Sequence, residues 1–145
     1  MLITARTGTD PELAALVVAW QRELGAAGHR TDGTPADVRF LVAVVGGRAV
    51  ACGGLRSRNP GTGELHAVYV RPAYRGRGIA RQLLATLEEL AFQAGHVVVC
   101  RGTGSSPGGA AGFWTACGYE PVRGCGGHAV GAYTRCFAKR LPVAA

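Results

Sequence analysis

Four arginines, Arg71, Arg75, Arg77 and Arg81, fall within eleven positions that hold two glycines and no acidic residue. Before this stretch runs Glu64-Leu-His-Ala-Val-Tyr-Val70, a strand-like segment. After it, Ile79, Leu83, Leu84, Leu87, Leu90 and Ala91 recur at helical spacing. A strand that ends in a glycine-bearing loop and resumes as a helix gathers unpaired N–H groups and a partial positive charge at one point. Together these bind an anion. Gly76 and Gly78 lack a Cβ, so a phosphate can reach the backbone. The competing reading is a glycine-bearing turn that merely caps an ordinary helix.

Two other phosphate loops are excluded. No GxxxxGK[ST] motif occurs, so this is not a nucleotide-triphosphate loop. Gly76-Arg-Gly78-Ile-Ala-Arg81 lacks the final glycine of the dinucleotide fingerprint, and an antiparallel pattern precedes it. Sixteen basic residues, fifteen of them Arg, stand against nine acidic ones, a formal charge of +7. Arginine forks suit phosphate oxygens, whereas a general bias toward Arg, Gly and Ala would raise the count without purpose; the clustering at 71–81 favours the first. Neither a helix-turn-helix, a finger nor an aromatic RNA-binding signature is present, and no nucleic-acid partner is expected. The five cysteines (52, 100, 117, 125, 136) form no CxxC pair. Cys52 and Cys100 sit in apolar runs as small hydrophobes. Cys117, Cys125, His128 and Cys136 match no common zinc spacing, so no metal is expected.

The elements that must position the arginine loop follow from periodicity. Asp10-Pro11-Glu12 reads as a helix start, and Leu13, Leu16, Val17, Trp20 and Leu24 give residues 11–24 one apolar face, closed by Gly25 and Gly28. Residues 29–37 are polar and turn-rich. Phe40–Val45 and Arg48–Cys52 flank Gly46-Gly47, a hairpin signal. Ser57–Gly63 reads as a turn, residues 64–70 as a third strand, 79–94 as a helix, and Val97–Cys100 as a short strand at a buried sheet centre. A strand, a helix and a strand make a crossover, so 64–70 and 97–100 should be parallel. Ala110–Cys117 is a short helix carrying Phe113 and Trp114, and 119–122 and 132–141 can supply closing strands.

The sum is an α+β fold: one domain over 1–145, with a mixed, mostly antiparallel central sheet flanked by helices on both faces. Hydrophobic content of 48% with 17% charged residues is that of a globular chain. No apolar run approaches the ~20 residues needed to cross a bilayer, and no signal segment opens the chain. No membrane partner and a cytoplasmic location are expected.

The segment Val70-Arg-Pro-Ala-Tyr-Arg-Gly-Arg-Gly-Ile-Ala80 resembles the GNAT superfamily of N-acetyltransferases, whose signature Arg/Gln-x-x-Gly-x-Gly/Ala is met by Arg75, Gly78 and Ala80. Phe113-Trp-Thr-Ala-Cys-Gly-Tyr119 is similar to the family's L-Y-x-x-x-G-F/Y. The resemblance covers nearly the whole chain, as a small single-domain member. It implies acetyl-CoA as cosubstrate, with the diphosphate on the backbone of Arg75, Gly76, Arg77, Gly78, Ile79, Ala80 and Arg81. It also implies that the backbone of Val68, Tyr69 and Val70 pairs with the pantetheine arm. The reaction it implies is direct acetyl transfer to a primary amine of a small molecule or protein, the enzyme acting as a monomer or homodimer.

Glu64 matches a position where many members carry a general base; the alternative is a solvated strand-edge carboxylate. His66 lies on the same strand face and can share that role, or be a satisfied structural histidine. Trp114 stands where the family's usual general acid is Tyr, and an indole N–H cannot supply a proton near neutral pH. The thiolate is a tolerable leaving group, with a thiol pKa near ~8.5; Tyr119 or Tyr133 can substitute, or Phe113 and Trp114 are core aromatics. The family's Asn near this helix is absent, with Pro107-Gly108-Gly109 in its place. A non-catalytic acyl-CoA-binding or regulatory module is the alternative reading that Trp114 motivates.

Overall fold

A computed structural model describes residues 1–26, 36–104, 110–122 and 134–142. Cys125, His128, Tyr133, Pro107-Gly108-Gly109 and most of the 29–37 loop lie outside the described residues. In chain order the elements are β1 (Leu2–Arg6), α1 (Pro11–Ala26), β2 (Arg39–Val45), β3 (Arg48–Asn59), β4 (Thr62–Val70), a 3-10 turn (Pro72–Tyr74), α2 (Ile79–Gln93), β5 (Val98–Gly104), α3 (Ala110–Ala116), β6 (Glu120–Val122) and β7 (Thr134–Arg140).

The seven strands form one sheet in the order β1-β2-β3-β4-β5-β7-β6. Every adjacent pair is antiparallel except β4 and β5, which α2 joins as a parallel crossover. Gly46 and Gly47, with φ of 59° and 81°, close the β2–β3 hairpin in a conformation that side chains disfavour.

Each sheet face buries its own helix. On one, Leu13 and Leu16 of α1 pack against Phe40, Val42, Ala49, Cys52, Ala67 and Tyr69. On the other, Ile79, Leu83, Leu84, Leu87 and Ala91 of α2 share a core with Leu41, Val50, Leu65, Val70, Val99, Trp114 and Phe137. Alternation along the strands sorts the two sets. The Asp10 carboxylate accepts from the Leu13 N–H at 2.9 Å, capping α1 as its position predicts.

Several boundaries differ from expectation: α1 runs through Gly25 to Ala26 instead of closing at Gly25, and β5 continues past Cys100 to Gly104 because it pairs with β7 that far. β1 reads in the sequence only as a lead-in to α1, yet it pairs with β2 from Leu2↔Val44 to Arg6↔Phe40. The turn expected over Ser57–Gly63 is confined to Pro60-Gly61, because Arg56 and Ser57 pair with Glu64 and Gly63 and extend the ladder beyond the core. Val97 precedes its strand and is 62% exposed, whereas Val99 and Cys100 are buried.

Candidate active site

β4 and β5 pair over three residues only, Thr62↔Val98, Gly63↔Val99 and Glu64↔Cys100. β4 continues to Val70 and β5 to Gly104, β5 pairing with β7 along its length. Past Glu64 the two strands therefore part, and among the described residues no strand takes the β5-facing edge of β4. The cleft so formed has backbone hydrogen-bonding groups on one wall, an edge that an extended ligand can join as a strand does.

A bulge shapes that wall. Between Cys52↔Tyr69 and Gly54↔His66 two residues of β4, Ala67 and Val68, oppose Gly53 alone. Ala67 adopts φ 50°, left-handed backbone that a side chain tolerates at a cost of roughly 1–2 kcal/mol. The Cys52 thiol donates to the Ala67 carbonyl at 3.2 Å, and burial pushes this thiol up to about 12, so it serves as a neutral donor. The bulge places Ala67 and Tyr69 against α1 and Val68 and Val70 toward α2.

The cleft leads to the arginine loop. Gly76 and Gly78 have φ of 78° and 79°, and a Cβ at either would meet open space. Their conformation therefore requires glycine, while the ground in front of them stays clear for a ligand. Gly78 caps α2 without a side-chain hydrogen bond, and the first helical bond runs from Gln82 N–H to Gly78 O at 3.1 Å. The N–H groups of Ile79, Ala80 and Arg81 are left for an external acceptor.

The arginines divide their tasks. Arg75 donates from Nε to Val70 O at 2.9 Å and from Nη2 to Glu23 of α1 at 2.7 Å, and its guanidinium lies 5.5 Å from the Tyr69 ring. It braces the loop against α1 and the end of β4, and its own N–H bonds to Pro72 O at 3.3 Å. Arg77 and Arg81 are exposed and make no ion pair among the described residues, Arg77 resting 5.1 Å over Tyr74. Both side chains are placed to meet an anion.

At the vertex of the cleft sits Glu64, 6% exposed. Its Oε1 lies 2.7 Å from His66 Nε2. The two atoms are close without forming a hydrogen bond of good geometry. Across the β3–β4 ladder Arg56 faces Glu64 and is itself paired with Asp37 at 3.1 Å. Glu64 and His66 thus gather on the α1 side of the sheet.

The opposite side holds Trp114, buried in the α2 core, with edge-on contacts to Phe113 at 5.3 Å and Tyr119 at 5.0 Å. The Tyr119 hydroxyl donates to Glu88 Oε2 at 2.8 Å, and Lys139 Nζ donates to Glu88 Oε1 at 2.9 Å. Burial, reinforced by the Glu88 charge, pushes this phenol far above its ordinary range. Tyr119 is committed to a structural triad. Arg101, which the sequence did not mark, stacks 4.7 Å over Trp114 with its Nε sealed from solvent.

No group of three or more His, Cys, Asp or Glu among the described residues is arranged to hold a metal. Among the described residues no helix is long and apolar enough to cross a membrane.

Residues 8–119 match the acetyltransferase (GNAT) family. The chain belongs to that family. An IAA acetyltransferase of Azospirillum brasilense is 39% identical over 69 residues, which span 47% of this chain and 45% of that protein, so under half of that relative is matched. A Klebsiella pneumoniae structure named for acyl-CoA N-acyltransferase is 28% identical with a TM-score of 0.84, covering 97% of both chains. A GNAT acetyltransferase of Elizabethkingia anophelis, with acetyl-CoA bound, shares the fold at a TM-score of 0.72 and 16% identity over 97% of both chains.

Proposed function

We propose that the protein transfers an acetyl group from acetyl-CoA to a primary amine of a small molecule or protein. The observation that carries this reading is the continuity of two features: the outward N–H groups at Gly76–Arg81, and a cleft whose β4 wall has no strand partner. A ligand with a diphosphate at one end and a chain of amides behind it satisfies both. The backbone of Gly76 to Arg81 would hold the diphosphate, with Arg77 and Arg81 as supporting cations and Arg75 as the brace. Val68, Tyr69 and Val70 would pair with the arm. When bound, acetyl-CoA supplies the activated acyl group.

Glu64 is the candidate general base. An ammonium has no lone pair and must lose a proton before it attacks. Glu64 sits at the vertex where the cleft ends, and His66 at 2.7 Å can share the proton. The acceptor amine would enter on the α1 side, where Asp37, Glu64 and His66 stand, opposite the Trp114 side. Trp114 packs and supplies no proton.

The test is a steady-state measurement of CoA release over a panel of amines that includes free amino acids, small diamines and peptide amines. Turnover with at least one amine is expected. Tight acetyl-CoA binding with no turnover on any amine would favour a non-catalytic acyl-CoA-binding module.

A further inference from the structure

The position of Trp114 raises a question of charge: among the described residues no free phenol stands beside it, since Tyr119 is tied to Glu88. Arg101 is the first residue of β5 beyond Cys100, the last to pair with β4, so it stands at the vertex of the cleft. Glu64 shares its register and face with Cys100, which places Arg101 on the other face, toward Trp114 and Phe137. The guanidinium lies 4.7 Å from the indole centroid, and Nε is buried without a hydrogen-bond partner.

The other titratable groups described on this face are Tyr119, Glu88 of α2, Lys139 of β7 and Cys117 after α3; the first three are bonded to one another, and none of the four forms an ion pair with Arg101. Burial pushes the Arg101 guanidinium down to about 10, so it remains a cation at neutral pH, and among the described residues it has no anionic partner. An unsatisfied donor in a low-dielectric site is costly unless a ligand completes it.

We propose that Arg101, steadied on the Trp114 ring, is a catalytic residue that stabilises the departing thiolate of CoA by charge in place of proton donation. The inference rests on the acetyl-transfer reading of the cleft. In the step, the amine nitrogen bonds to the acyl carbon and the C–S bond breaks with its electron pair on sulfur. The amine proton passes to Glu64 on the opposite face. The sulfur leaves as thiolate beside Arg101 and takes a proton from water on release.

The test measures binding of CoA and of desulfo-CoA by calorimetry from pH 6.5 to 9.5, for wild type, Arg101→Met and Arg101→Lys. A cation beside the sulfur lowers the pKa of the bound thiol below that of free CoA, about tenfold in affinity for each unit. Affinity of the wild type for CoA should therefore rise by about tenfold across this range, while that for desulfo-CoA stays flat. Arg101→Met should bind desulfo-CoA as the wild type does and lose the rise. Arg101→Lys, which keeps the charge, should retain part of it.

A wild type with no rise, or no CoA binding at all, would overturn the proposal. An undiminished rise in Arg101→Met would do the same. Should Arg101→Met fail to fold, as circular dichroism would show, Arg101→Gln takes its place with the same expectations. The binding profile does not depend on turnover: a rise that requires Arg101 in a protein that acetylates no amine would leave this cation–thiolate contact standing while removing the transferase reading.

Discussion

Glu64 is a carboxylate that the fold has nearly enclosed, with an imidazole at 2.7 Å and an arginine across the ladder already occupied by Asp37. Replacing it by Gln keeps the size and removes the basicity. Glu64→Gln should lower kcat/KM by ~10²–10⁴, with the deficit deepest at low pH, where more of the amine is charged and needs a base. A pH–rate profile parallel to the wild type's would remove Glu64 from the mechanism.

Tyr119 offers the complementary case. Tyr119→Phe deletes the hydrogen bond to Glu88 and should cost ~1–3 kcal/mol in denaturant unfolding. The shape of the pH–rate profile should stay unchanged, because the phenol is not the proton donor; a lost limb would contradict that assignment. Gly78→Glu should abolish acetyl-CoA binding by calorimetry, since it adds a negative charge and a strained φ at the helix start. Retained affinity would show that the anion binds elsewhere.

The helices and strands that place these residues were partly readable from pattern. The amphipathic period of α2 gives its extent and buried face, and Leu87, fully buried, is central to it. Leu87→Ala should destabilise by ~2–5 kcal/mol in denaturant unfolding. The Asp10 cap was equally plain. Its bond from Leu13 N–H holds the carboxylate below its usual range, so its contribution is complete above about pH 4 and is lost as pH falls through the lowered folded value. Asp10→Ala should lower the melting temperature at pH 7, and the difference from wild type should shrink toward pH 2.

Other features left no trace in the pattern. β1 is five residues of mixed polarity, and only the neighbouring β2 makes it a strand. The outer end of β3 is polar because it runs past the core, so Arg56 and Ser57 resemble a loop. The bulge at Ala67 is hidden because apolar residues line both faces of β4, and a one-residue slip changes no visible alternation. Arg101 follows an apolar run and reads as a solvated strand end; its burial on Trp114 depends on α3 folding over β5.

Taken as one molecule, the chain sets the candidate residues on two faces of a single sheet. The α1 face carries Glu64 and His66, and the α2 face carries Trp114 and Arg101, with the parting of β4 and β5 as the passage between them. Two exposed cations, Arg77 and Arg81, stand where that passage opens, beside the start of α2. A crystal structure with CoA tests this division most directly. The account predicts diphosphate oxygens within hydrogen-bonding distance of the N–H groups between Gly76 and Arg81, pantetheine amides paired with Val68–Val70, and the sulfur at the vertex between Glu64 and Arg101. A coenzyme seated outside the passage, or β4 and β5 found paired to their ends, would contradict it.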